Sequence, residues 1–253
     1  MKSIIIKSLL ATVLITIACT AHAQNNLKAL IDSVKSSIPK TLPNKAILTG
    51  FDIKDKQATA TFMLKDNVEE SVEKLSSNKF NSSNVAQLLV IQGYSLPKSL
   101  LDELSKEGIN LQVVMRGENI NGDVTNTISA QRLSELLKDD SSIKSKLLLE
   151  TRIDLINIDI KNAQNEDAEI VLKSVSLNDD GYIHEMQTNN DEIFEMIKND
   201  TDLANKNAYY VISDIPMSEI HIALKALNKD FVWVLTNSNT GEKIITRIAS
   251  NKL

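Results

Sequence analysis

The chain has 253 residues, with 28 Lys+Arg against 33 Asp+Glu for a formal net charge of −5, and one cysteine. That balance excludes the basic surface by which proteins hold nucleic acid or anionic membranes. A single cysteine excludes an internal disulfide framework.

Residues 1–23, MKSIIIKSLLATVLITIACTAHA, have the three parts of a secretory signal. Lys2 and Lys7 form a basic start, Leu9 to Ala18 an apolar run, and Ala21-His22-Ala23 a small-x-small cleavage site. The run falls short of the roughly 20 residues of a membrane span, so no integral membrane segment is expected after cleavage. Cys19 opens an alternative, cleavage before it and lipid anchoring through its thiol, but Thr16 stands where such signals place Leu or Val. The expectation is a soluble periplasmic protein starting after Ala23. Cleavage takes the basic residues from 28 to 26 and removes Cys19, so the mature chain has no thiol chemistry and relies on its apolar core.

Leu27, Leu30, Ile31, Val34 and Ile38 share one helical face, and Pro39 and Pro43 stop that helix. AILTGFDI and ATATFMLK, joined by Lys54-Asp55-Lys56-Gln57, predict a β-hairpin with one face in a core. Val68, Val72 and Leu75 suggest a short helix. Leu88–Ile91 is continuously apolar, as in a strand covered on both faces. Pro97 suits the first turn of a helix lined by Leu100, Leu101 and Leu104, with Gly108 placed to end it. Leu111–Met115 is a second apolar run, so 88–115 predicts a βαβ crossover. The chain after Asn119 looks helical through Leu137, with Leu133 and Leu136 on one face beyond Ser129.

The second half repeats this plan. IDIKNAQNEDAEIVLK (158–173) resembles FDIKDKQATATFMLK (51–65). Tyr209–Ile212 is an apolar run, Ile215-Pro216 starts a helix with Ile220, Ala223 and Leu224, and Phe231–Leu235 is the next run. An ungapped shift of 119 pairs Pro97 with Pro216, Val113 with Val232 and Gly122 with Gly241. Here 243–248 reads as the return strand of a hairpin, which conflicts with the helical reading of the first copy. The expected class is α/β. It has two tandem related units, 24–140 and 141–253, divided at Asp139-Asp140-Ser141-Ser142, each a mixed sheet with a β-hairpin and a βαβ crossover.

Little of this is equipped for chemistry. His184 and His221 have no second histidine or cysteine at ligand spacing, and no GxSxG or phosphate-cradling glycine loop occurs among the 7 glycines. Ser176–Gln187, SLNDDGYIHEMQ, has the spacing of a calcium loop at Asn178, Asp180 and Gly181, but Ser176 and Gln187 replace its first and last carboxylates. The reading is an Asn-Asp-Asp-Gly turn. Arg116-Gly117 at a strand end reads as an anion contact or an interdomain salt bridge, with structural use favoured, and Trp233 as core. No catalytic residue, cofactor or metal ligand is assigned.

Tyr94-Ser95-Leu96-Pro97, a leucine-lined helix, Gly108-Ile109, Val113-Val114-Met115-Arg116-Gly117 and then Thr125 and Thr127 together resemble the TrbC family. These are periplasmic proteins of F-type conjugative pilus assembly, within type IV secretion. The resemblance implies a thioredoxin-like α/β core used for protein–protein contact, with other periplasmic or secretion-system proteins as partners. Ser213 and Ile215-Pro216 repeat part of the motif, while Leu235-Thr236 stands where Arg-Gly is expected. The functional expectation is an exported, non-enzymatic assembly or interaction protein. Pro97, Arg116, Gly117, Pro216 and Trp233 are its landmarks. A periplasmic binding module for a small ligand or cell-wall fragment is the alternative.

Overall fold

The computed structural model describes residues 26–43, 45–92, 95–138, 141–163, 168–214 and 217–253. The expected secretory signal at 1–23, with Cys19, and Tyr94, Asp139-Asp140 and Pro216 lie outside them. The chain divides into two compact units, one of residues up to Glu69 with Leu89–Lys138, the other of Glu70–Leu88 with Asp139–Leu253.

The first unit starts with helix α1 (26–36) and a two-residue strand, β1 (Lys40–Thr41), on the edge of β2 (Ile47–Lys54). β2 turns through Asp55-Lys56 into β3 (Gln57–Met63), the expected hairpin. Ala58, Ala60 and Phe62 are fully buried, whereas Thr59, Thr61 and Met63 on the other face are half-buried. The period of two in the sequence is the pleat of this strand.

Three helices then cross over: α2 (Asp66–Ser77), α3 (Ser83–Gln92) and α4 (Lys98–Lys106). The expected strand at Leu88–Ile91 is therefore a correction, because it is the end of α3. Val85, Ala86, Leu89 and Val90 are all buried, and a short helix with several covered sides reads as a continuous apolar run, as a central strand does. The parallel partner of β4 (Asn110–Arg116) is β3, with Ala58 beside Leu111 and Phe62 beside Met115. Gly108, at φ +67°, ends α4 as expected. Its N–H donates to Ser105 O and that of Ile109 to Leu104 O, a left-handed cap that pairs two last-turn carbonyls. The helical reading after Asn119 is also corrected, since Val124–Ile128 is β5, antiparallel to β4. Helix α5 (Ala130–Leu136) begins only after Ser129, whose Oγ accepts the Arg132 N–H at 3.1 Å. The strands lie in the order β1-β2-β3-β4-β5.

The second unit opens with a 22-residue helix, α6 (Ser141–Asn162). The resemblance of 158–173 to the first hairpin is thus a chance one, because 158–162 is the last turn of α6. Leu149 and Ile153, with Ile156 and Ile160, join the core under the second sheet, while Leu147 and Ile158 are buried outside that cluster. Burial on more than one side erases the stripe that would identify an amphipathic helix. Within this unit Lys74 of α2 pairs with Asp159, and Asn84 Nδ2 of α3 donates to Glu150 Oε2 at 3.3 Å. The hairpin is β6 (Val171–Asn178) and β7 (Gly181–Thr188). Three helices follow, α7 (Asp191–Asn199), α8 (Thr201–Asp214) and α9 (Met217–Leu227), then β8 (Phe231–Asn237), parallel to β7, and β9 (Lys243–Ile248), antiparallel to β8. Tyr209–Ile212, expected as a strand, lies within α8. The strand order is β6-β7-β8-β9.

The edge of β6 is closed by a side chain. Asn157 Nδ2 donates to Val175 O at 2.8 Å, and Asn157 Oδ1 accepts the Val175 N–H at 2.9 Å. The carboxamide takes the place of a neighbouring strand and protects an edge that would otherwise offer free backbone groups. Asn157→Ala leaves both groups unpaired, and a loss of about 2 kcal/mol is expected in urea unfolding of the second unit.

Strands β2–β5 of the first unit are repeated in order by β6–β9 of the second, while β1 has no counterpart. Leu111 faces Ile128 as Phe231 faces Ile248. Asn110 Oδ1 accepts the Ala130 N–H at 3.0 Å, as Asp230 Oδ1 accepts the Ser250 N–H at 2.9 Å. Asn228 (φ +49°) ends α9 as Gly108 ends α4, its N–H donating to Lys225 O and that of Lys229 to Leu224 O. These pairs place the repeat at a shift of 120, so the expected 119 is one residue short. One residue exchanges the two faces of every strand. In the hairpins Phe51 faces Ala60 as Val175 faces His184, and the irregularities Leu48/Gly50 and Leu172/Ser174 coincide at a shift of 124.

Candidate functional site

Pro97 precedes α4 as its N-cap (φ −57°, ψ 137°) and is exposed; its carbonyl accepts from Leu100 N at 3.0 Å and Leu101 N at 3.1 Å. It positions a helix and leaves its ring on the surface. Arg116 ends β4 and is half exposed. Its Nε donates to Asp123 Oδ1 at 2.8 Å and its Nη2 to Asp123 Oδ2 at 2.7 Å. This fork spans the loop between β4 and β5, so Arg116 makes an ion pair within the first unit and not the interdomain one expected. The hydrogen bonds from Arg116 hold the Asp123 carboxyl below its ordinary range.

Gly117 has a different reason. A Cβ there would lie 2.5 Å from Glu69 Oε1, so only glycine lets the loop close on that side chain. Glu69 is 6% exposed and its Oε1 accepts the Asn119 N–H at 2.6 Å. The buried carboxylate clamps the loop after β4, while Leu64 N donates to Arg116 O at 2.7 Å. In sequence Glu69 looks like one acid among several on α2, and nothing local marks it.

The corresponding loop of the second unit follows Thr236-Asn237. Asn237 is 2% exposed and its Nδ2 donates to Asp191 Oδ1 at 2.8 Å, while its Oδ1 accepts from Asn239 N at 2.8 Å. Hydrogen bonds from Asn237 and then Asn239 lower the pKa of Asp191. Asn190 caps α7, accepting from Glu192 N and Ile193 N. These polar groups are mutually satisfied and hold the ends of β7 and β8 together.

Trp233 is core, as expected, at 1% exposure. Beneath it lies a feature that sequence reasoning missed. His184 pairs with Trp233 across β7 and β8, is 3% exposed, and neither ring nitrogen has a hydrogen-bond partner. Its ring meets Tyr182 at 5.0 Å and Phe231 at 5.1 Å, both edge-on. The Tyr182 hydroxyl and Trp233 Nε1 are buried and also without partners. Burial drives the His184 pKa down to about 4 and pushes Tyr182 up to about 12. The signal in sequence is the alternation Tyr182, His184, Met186 against Ile183, Glu185, Gln187, which puts the histidine on the inward face only once the strand is known. Tyr182→Phe removes a polar atom that makes no bond, and a gain of about 1 kcal/mol is expected in urea unfolding followed by Trp233 fluorescence.

Ser176–Gln187 is the β6–β7 hairpin, and Asn178 Oδ1 accepts the Asp180 N–H at 2.8 Å across its turn. Asn178 thus spends its oxygen on the backbone. Among the described residues no three His, Cys, Asp or Glu side chains gather as a metal site. His221 lies on α9, its pKa lowered by burial and then by Lys225.

The helices of the second unit pack against one face of its sheet. Val175, Tyr182, Phe231, Trp233, Leu235 and Ile248 share a cluster with Leu149, Ile153, Phe194, Ala208 and Leu224. The opposite face carries Ile183, Val232 and Arg247 in one row and Glu185, Val234 and Ile245 in the next, and Ile245 is 64% exposed. In the first unit that face bears Asp52, Thr59, Gln112 and Thr127, then Gly50, Thr61, Val114 and Thr125. Asp52, Thr125 and Thr127 are exposed. Among the described residues no helix is long and apolar enough to cross a membrane. Compared with family models, curated proteins and solved structures, the chain shows no match.

Proposed function

We propose that this is an exported, non-enzymatic assembly or interaction protein, an accessory of conjugative pilus assembly or type IV secretion. The observation that carries the reading is the outward sheet face of the second unit, where Ile245 is 64% exposed next to the buried Val234, with Glu185 and Arg247 exposed on the same face. An exposed aliphatic side chain with charged residues around it is a feature that a protein contact can cover. The resemblance of Tyr94–Thr127 to the TrbC family supplies the secretion context, its thioredoxin-like core remaining an implication of that resemblance. The signal-like residues 1–23 supply the periplasmic location. The polar groups at the strand ends hold one another and support a structural role for the loops.

The test is affinity purification of the tagged protein from the periplasmic fraction of a strain carrying a conjugative plasmid. Co-purification of pilus-assembly or secretion components, weakened by Ile245→Asp, is the expected result. Recovery of the protein alone, with Ile245→Asp indistinguishable, counts against the reading. N-terminal sequencing of the mature protein is expected to begin at Gln24.

A second reading has one observation in its favour. A cleft of about 330 Å³ opens beside the ends of β6 and β7, lined by Glu169, Lys173, Gln187, Thr188 and Ser238 among others. It suits a small polar ligand such as a cell-wall fragment. A thermal-shift screen with muropeptides separates the readings, since a ligand of the folded state raises the melting temperature by mass action.

A further inference from the structure

The two sheets share one register but not one core. The inward row Phe51, Ala60, Val113, Asn126 of the first corresponds to Val175, His184, Trp233, Thr246 of the second. Beside it, Ala58 and Leu111 correspond to Tyr182 and Phe231. Where the first unit sets two alanines, the second sets a tyrosine and an imidazole, both buried and both without hydrogen-bond partners. A neutral imidazole can remain there, but a charged one is strongly disfavoured, because nothing around it repays the loss of water.

We propose that the second unit is an acid-sensitive element: proton uptake by His184 loosens it at mildly acidic pH, while the first unit, with Ala60 at the same place, lacks that response. The elements packed into the cluster surround the ring mainly with apolar groups. β6 presents Val175, β8 Phe231 and Trp233, and β9 Thr246 and Ile248. α7 contributes Phe194 and Ile197, and α8 Ala204, Ala208 and Ile212. The titratable groups are Tyr182 on β7, Arg152 on α6, whose charge is felt at Tyr182, and His221 with Lys225 on α9. α6 also carries Glu150 and the half-buried Asp154, and no charge from any of these groups offsets the burial of His184. Burial is the cause of its lowered pKa.

The sign follows. An imidazole at about 4 in the folded unit and 6.5 when exposed binds its proton more tightly in the unfolded chain. The folded second unit therefore loses stability as pH falls from 6.5 toward 4, and keeps it above 6.5. The unfolding constant is expected to rise on the order of thirtyfold between pH 7.5 and 5.0 from this group alone.

The chain's one tryptophan, Trp233, sits against His184 and reports this unit. Urea unfolding followed by its fluorescence at pH 7.5 and 5.0 is expected to show that rise in the wild type and to lose most of it in His184→Phe. Hydrogen exchange on the wild type gives a measure independent of any variant. At pH 5.0, β7 and β8 are expected to lose protection while β3 and β4 keep theirs. An equal pH effect in His184→Phe overturns the proposal, as does parallel loss of protection in both sheets, or no change in either.

Discussion

Gly181→Ala is expected to destabilise the second unit by about 3 kcal/mol. Gly181 opens β7 at φ +141°, a conformation that residues with a Cβ rarely adopt, and a Cβ there would lie 2.5 Å from the Asp230 carbonyl oxygen. That oxygen accepts the Tyr182 N–H at 2.8 Å, the first bond between the parallel strands β7 and β8. Relief of the clash therefore means separating the strands at the point where their register begins. Gly108→Asn is the control. It too has positive φ, but a Cβ there meets nothing within 4 Å, and Asn228 already occupies the matching cap of α9. A change of less than about 1 kcal/mol is expected there. Urea unfolding, with exchange protection at Tyr182 for the first variant, checks both. Equal losses at the two positions would show that backbone conformation, and not the close approach of Asp230, sets the cost.

Trp233→Val carries the second large effect, a loss of about 3–4 kcal/mol. Val113 shows that valine fits this register position, but only with the neighbours of the first unit. There Phe51 and Phe62 supply the volume; in the second unit Val175 and Met186 stand at those places, and the bulk comes from Tyr182, His184, Phe231 and Trp233. A valine alone leaves a void that the rigid sheet cannot collapse into. Adding Val175→Phe is expected to recover about 1 kcal/mol, a coupling that arises because the two side chains flank the same histidine. Thermal unfolding by circular dichroism is the measurement, since the variant has no tryptophan. Additive losses would mean that the two cores are not filled by compensation.

The sequence displayed the elements whose pattern is local. The Ala58–Leu64 alternation is β3, the leucines after Pro97 are α4, Gly108 is its cap, and Leu111–Met115 and Phe231–Leu235 are the parallel central strands. Each failure has a common physical form. Leu88–Ile91 and Tyr209–Ile212 lie in helices, and a run of four apolar residues carries no period long enough to separate a helix turn from a strand. Val124–Ile128 contains Thr125, Asn126 and Thr127, polar residues that an edge strand tolerates because half of its surface faces solvent.

The site residues divide in the same way. Arg116 and Gly117 were visible at a strand end, but their reasons, Asp123 and Glu69, come from a hairpin loop and from a helix about 50 residues earlier. By itself the sequence determined the α/β class, the β2–β3 and β8–β9 hairpins, the tandem arrangement and the absence of thiol chemistry beyond Cys19. Only the tertiary structure decided the crossover from β3, the shift of 120 that aligns the repeats, and the burial of His184 among Tyr182, Phe231 and Trp233. The first set rests on periodicity along a few neighbouring residues. The second rests on which strand pairs with which, and one residue of register decides whether a side chain meets water or the core.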